Sequence, residues 1–174
     1  MPLALAASPL LGLNWVAPPA FALDEIQLTY GDLEAPPISL ADLEEFARTG
    51  IPSRDLQLVL TLMPMDEAQV RELLTMEVPV DFDSLRQVSN SFVGQFFWRL
   101  VATTLSMAEG SSETWKLMQD AVLKAAANGR ISVMDVLRNV EATLLRIDSQ
   151  RVLAIAEQIR PEDMQIFSSV FLGN

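Results

Sequence analysis

The apolar positions of this chain change period twice. Ile26, Leu28 and Tyr30 alternate with Gln27 and Thr29, the spacing of a half-buried strand, and Gly31-Asp32 follows as a turn, with room for a short hairpin through Ile38. From Ser39 the period becomes helical. Leu40, Leu43, Phe46 and Ala47 share one face, and Gly50 and Pro52 stop the run. Ser39 and Asp42 have capping-box spacing, and Ile38 can staple onto Leu43 across the first turn.

Further helices follow at short intervals. One starts at Ser53, buries Leu56, Val59 and Leu60, and ends before Pro64. Another starts at Asp66 with a stripe of Val70, Leu73 and Leu74, after which Val78-Pro79-Val80 runs extended. Residues 83–88 form a short fourth helix. Ser91 opens the fifth, in which Phe92, Phe96, Phe97, Leu100, Val101 and Thr104 make one broad apolar face beside Trp98; its apolar bulk predicts a place at the centre of the core. Residues 107–112 read as a loop. A sixth helix over 113–128 presents Trp115, Met118, Val122 and Ala125 and ends at Gly129.

Ile131-Ser132-Val133-Met134-Asp135-Val136 then repeats the device of Ile38-Ser39-Leu40-Ala41-Asp42-Leu43 position by position. Residues 144–147 form a second strand able to pair with residues 26–30, and a last helix spans 151–159 before Pro161. The fold class expected from these periods is mostly α: a compact bundle of six to eight short helices with at most a small two- or three-stranded sheet near the termini.

Residues 1–22 stand apart. They contain no Asp, Glu, Lys or Arg, are rich in Leu, Ala and Pro, and close on Ala20-Phe21-Ala22. That is the pattern of an export leader cleaved before Leu23, although its basic n-region is missing. The run from Leu3 to Leu13 is too short to span a membrane, so no stable span is expected after cleavage; retained uncleaved, the segment would serve as an anchor. The expected organisation is a leader at 1–22, one helical domain at 23–160 and an apolar tail at 161–174. The expected location is the periplasm or the thylakoid lumen.

Composition narrows the chemistry. The chain of 174 residues has no His and no Cys, which removes the commonest general base, the commonest metal ligand and the usual thiol nucleophile. With 12 Lys and Arg against 23 Asp and Glu, the formal charge of -11 disfavours nucleic acid and anionic lipid. No G-x-S-x-G elbow is present, and the two lysines, Lys116 and Lys124, lie beside no serine motif.

Asn128-Gly129 with Asp135 mimics the second half of a calcium-binding loop, but Lys124 and Ala126 stand where the first ligands belong. The clusters Asp42 with Glu44 and Glu45, Asp66 with Glu67, and Glu162 with Asp163 lie mostly in first helical turns, where the helix dipole favours negative charge. Glu77, Asp81 and Asp83 flank Pro79 and are the least explained, the one place where a weak divalent cation is conceivable. No catalytic, cofactor-binding or metal-ligating residue is assigned, and no cofactor is expected.

Tyr30-Gly31, the run from Ile38-Ser39-Leu40 through Thr49-Gly50, Leu73-Leu74 before Val78-Pro79-Val80, Asn90-Ser91 to Gly94, and Ala125-Ala126 to Gly129-Arg130-Ile131-Ser132 and Leu137 together resemble one helical domain. It is the cyanobacterial domain of unknown function found at the N-terminus of exported proteins described as α/β hydrolases, and the likeness covers about residues 25–150. The resemblance implies cyanobacterial origin, export and association with a hydrolase. It carries over no catalytic residue, because the nucleophile and base would belong to a hydrolase domain beyond this region.

The function expected is therefore a non-catalytic exported accessory or interaction module. It would use its apolar helix faces and residues 164–172 to hold a protein partner of hydrolase type or a hydrophobic ligand. The alternative is the N-terminal part of a truncated or split esterase-like hydrolase.

Overall fold

The computed structural model describes residues 23–63, 65–107 and 113–158. The segment expected as a leader, most of the loop expected at 107–112 and the segment expected as an apolar tail lie outside the described residues, as do Glu162 and Asp163. Eight α-helices and seven strands occupy the rest, in the order β1 (Glu25–Tyr30), β2 (Leu33–Glu34), β3 (Ile38–Ser39), α1 (Leu40–Thr49), α2 (Arg54–Leu62), α3 (Glu67–Thr75), β4 (Val78–Pro79), α4 (Phe82–Asn90), α5 (Phe92–Ala102), β5 (Leu105–Met107), α6 (Thr114–Ala125), a 3-10 turn (Ala126–Asn128), β6 (Arg130–Ile131), α7 (Val133–Arg138), β7 (Leu144–Asp148) and α8 (Ser149–Gln158). The fold is largely helical, as the periods predict. None of these helices is long and apolar enough to cross a membrane.

The strand expected at residues 144–147 does pair with β1. The two run parallel, with Ile26 opposite Leu145 and Leu28 opposite Ile147, so the apolar sets of both strands meet on one face. β5 adds antiparallel to the far side of β7, and β2 and β3 pair antiparallel with the two ends of β1. Five strands thus make one sheet; β2, β3 and β5 have only two or three residues each, too few for a period-2 count to register. β4 and β6 form a separate pair, Val78 opposite Ile131. On the second face of the large sheet, the Arg146 Nε donates to Gln27 Oε1 at 3.0 Å while Gln27 Nε2 donates to the Ala35 carbonyl.

Helix starts fall where short polar side chains can serve orphan backbone donors. Ser39, Ser53, Asp66, Asp81, Ser91 and Ser132 each accept from the backbone N–H three residues on. α4 opens one residue before the expected 83 for this reason: Asp81 caps it. Gly50, at φ 78°, and Gly129, at φ 80°, close α1 and the 3-10 turn in the left-handed region that a Cβ disfavours.

The core runs from the sheet's apolar face into the helices. Phe46, Leu56, Val59, Val140 and Leu145 are fully enclosed, and Ile38 and Leu43 sit in the same cluster, as the staple reading requires. Leu73 departs from the expected stripe of α3: Val70 and Leu74 are buried, Leu73 is exposed.

The larger correction concerns α5. Its expected inward face divides: Phe92, Phe96 and Leu100 point outward, with Phe92 86% and Phe96 66% exposed, while Phe97 packs against the core, Val101 is half-buried and Thr104 is buried. Gly94 and Trp98, on the opposite side, are the buried residues of the helix. α5 is therefore a flank of the core whose bulkiest apolar stripe lies at the surface.

Candidate interaction surface

The orientation of α5 follows from the joint with α4. Ser91 ends α4 and opens α5 at once: its hydroxyl donates to the Val88 carbonyl at 2.6 Å and accepts from Gly94 N at 3.1 Å. A Cβ on Gly94 would lie 2.1 Å from the Val88 carbonyl oxygen and 2.7 Å from that of Ser89. Only glycine admits the α4 backbone this close, so the Gly94 side must face inward. One turn later on the same side, Trp98 buries its ring and donates from Nε1 to Ser89 Oγ at 2.7 Å. Gln119, buried on α6, donates to the Ser89 carbonyl and to Asn90 Oδ1, each at 3.0 Å.

With that side fixed, a helical turn of 100° per residue leaves Phe92, Phe96, Leu100 and Val93 within one arc facing outward. All four are exposed, Val93 at 68% and Leu100 at 39%. Gln95 and Arg99 border the arc, and the Arg99 guanidinium lies over the Trp115 ring, 5.5 Å from its centroid. The arrangement offers a preformed apolar ridge. It can exclude water against a complementary apolar surface but presents no reactive group.

A second feature is a cleft of about 540 Å3 between the two helices that share the Ile-Ser start, α1 and α7, with Thr75 and Glu77 at one side. Its charges are matched. Glu44 accepts from Arg138 Nε at 2.7 Å, Asp135 Oδ1 accepts from Arg138 Nη1 at 3.2 Å and Asp135 Oδ2 from the Ser132 hydroxyl at 2.6 Å. Glu45 binds Arg48, and Glu77 accepts from Arg130 at 2.8 Å. The Glu44 carboxylate hydrogen-bonded to Arg138 raises that guanidinium above its ordinary value, and Glu45 does the same for Arg48. Cations already hold these carboxylates, so the cleft offers no free acid and base pair.

The least explained acids separate in space and role. Glu77 is taken by Arg130, Asp81 caps α4 through the Ser84 N–H at 2.7 Å, and Asp83 pairs with Arg86 at 2.9 Å. Hydrogen bonds from Ser84, the backbone N–H first, hold the Asp81 carboxyl below the usual carboxylate range. Asp66 caps α3 in a full capping box with Gln69. Among the described residues no group of three or more His, Cys, Asp or Glu stands close enough to share a metal ion. The calcium-like segment is a capped helix start: Asn128 Oδ1 accepts from Arg130 N, Ser132 caps α7, and Lys124 is paired with Glu141.

The sequence groups these residues as one apolar face, core by default or a surface for a partner, because apolar periodicity shows which residues share a face and not which way that face looks. Gly94 inside a run of bulky residues was the available signal, since an interior glycine marks a close backbone approach.

No curated protein and no solved structure matches the chain. A family model does match, over residues 22–148, which is most of the sequence and includes every described element from β1 through β7. The chain belongs to the family described as alpha/beta hydrolase of unknown function, DUF1400.

Proposed function

We propose that this domain is a non-catalytic exported accessory module that works by attachment through the outward face of α5. The observation that carries the reading is the exposure of Phe92, Val93, Phe96 and Leu100 on a helix whose opposite side is locked by Gly94 and Trp98. Isolated surface apolar residues are ordinary, but four on one arc of a rigid helix form a patch of the kind that marks interaction sites. The non-catalytic part is supported by the missing His and Cys and by carboxylates already engaged in caps and ion pairs, despite the hydrolase description of the family. Export is supported by the uncharged residues 1–22 ending on Ala20-Phe21-Ala22.

The test compares the full chain with its Phe92→Asp/Phe96→Asp variant in cells that produce it natively. The reading expects the wild type to migrate in a complex or a particulate fraction and the variant to migrate as a free monomer. Identical migration of the two overturns it. So does hydrolysis of an ester or amide by the purified chain that disappears when one Ser, Asp or Glu is replaced.

A further inference from the structure

Resting on the attachment reading above, we infer that the surface α5 meets is a lipid bilayer with net-uncharged headgroups, into which Phe92, Val93, Phe96 and Leu100 dip while Arg99 stays at headgroup level. Three observations favour lipid over a protein partner.

The first is shape. Phe92 and Phe96 stand out from the helix at 86% and 66% exposure and form a protruding ridge. A protein partner would need a matching pocket, whereas acyl chains deform around protruding rings.

The second is size. Two mostly bare Phe rings with Val93 and part of Leu100 amount to roughly 450 Å2 of apolar surface. A stable protein interface takes about 800 Å2 from each partner. A helix lying in the membrane interface needs only its apolar stripe.

The third is charge. The chain has 23 acids, yet none lies on α5 or elsewhere between Asp83 and Glu109 in sequence, and within that stretch the only charged residues are Arg86 and Arg99; across the Trp115 ring from Arg99, Glu113 is neutralised by Lys116. An acid beside the ridge would have to be desolvated at the headgroup boundary; an arginine reaches lipid phosphate with its guanidinium while its stem stays in apolar surroundings. Arg99 borders the stripe, over the half-buried Trp115 ring. Because the rest of the molecule brings the net charge to -11, a strongly anionic bilayer repels it, and a zwitterionic one does not.

The chain has no cysteine, so a single introduced thiol can be labelled at a chosen site. An environment-sensitive dye is placed on Val93→Cys, within the ridge, and separately on Leu58→Cys, an exposed α2 position, in otherwise intact chains mixed with phosphatidylcholine vesicles. Insertion predicts a blue shift and a several-fold rise in emission at position 93 and none at position 58. The signal should persist in 1 M salt, fall by at least tenfold with Phe92→Asp/Phe96→Asp added, and weaken on pure phosphatidylglycerol at low salt.

A probe at 93 that is silent with vesicles overturns the inference, as does equal response at both positions, which would report attachment by some other part of the chain. A response at 93 that grows with protein concentration before vesicles are added identifies a second copy as the occupant; the bilayer then falls and the attachment reading stands. Unchanged behaviour of the double Asp variant in both this assay and the native fractionation removes both.

Discussion

Trp98 and Ser89 meet across the α4–α5 joint, where the indole Nε1 donates a 2.7 Å hydrogen bond to a hydroxyl only 2% exposed. A buried Trp needs a partner for its N–H, and here the preceding helix supplies it. Ser89→Ala strands that donor and should cost about 1–3 kcal/mol in urea unfolding. Trp98→Phe added to Ser89→Ala should cost less than the sum of the two single changes. Strict additivity in the double-mutant cycle would show that the contact carries no energy.

Gly94→Ala is expected to be among the most damaging single substitutions in the chain. Its methyl would sit 2.1 Å from a backbone oxygen, and no side chain is there to move aside. A loss of more than about 3 kcal/mol, or failure to fold, follows from forcing α4 and α5 apart. Native-like thermal stability of the alanine variant would mean the joint is looser than these distances.

Aromatic residues should divide by side. Phe46, wholly enclosed on α1, should lose about 3–5 kcal/mol as Phe46→Ala. Phe92→Ser, at 86% exposure, should stay within about 0.5 kcal/mol of the parent. Chemical denaturation of the two variants decides the orientation of α5, since a large loss at Phe92 would return that face to the core.

The Glu44–Arg138 pair closes one side of the cleft, but its side chains are 42% and 48% exposed. Water screens it, so the coupling from a Glu44→Gln/Arg138→Met cycle should be at most about 1 kcal/mol and should shrink in 1 M salt. A coupling that salt leaves untouched would indicate a drier cleft.

Asp81 sets a pH dependence whose sign is fixed. Its carboxyl is held below the ordinary value of 3.8 by the Ser84 hydrogen bonds, so the folded state releases this proton more readily than the unfolded state. The cap then contributes fully above about pH 3.8 and is lost as pH falls through the folded value. In Asp81→Asn the side chain still accepts a hydrogen bond but does not titrate. The stability advantage of the parent over this variant, followed by urea midpoints from pH 7 to pH 2, should therefore shrink in acid. A constant difference would detach Asp81 from the acid response.

The sequence by itself determined the local elements. Short polar side chains at Ser39, Ser53, Asp66, Ser91 and Ser132 mark helix starts because orphan backbone donors are served within three residues, and a three-residue rule is readable along a line. That residues 144–147 could pair with β1 was legible for a similar reason: both runs carry apolar residues two apart, and a slip of one residue would turn Leu145 and Ile147 away from the face of Ile26 and Leu28, while the parallel direction was decided by the fold.

Tertiary structure alone decided which side of α5 faces in, and with it the candidate surface. Helical periodicity groups Phe92, Phe96 and Leu100 but is blind to rotation about the helix axis. The rotation was settled by α4, whose last carbonyls tolerate only Gly94, and by Ser89 and Gln119, which satisfy the polar atoms on that side. Packing clearance and buried hydrogen bonds between residues up to thirty apart outweighed the greater apolar area of the opposite face.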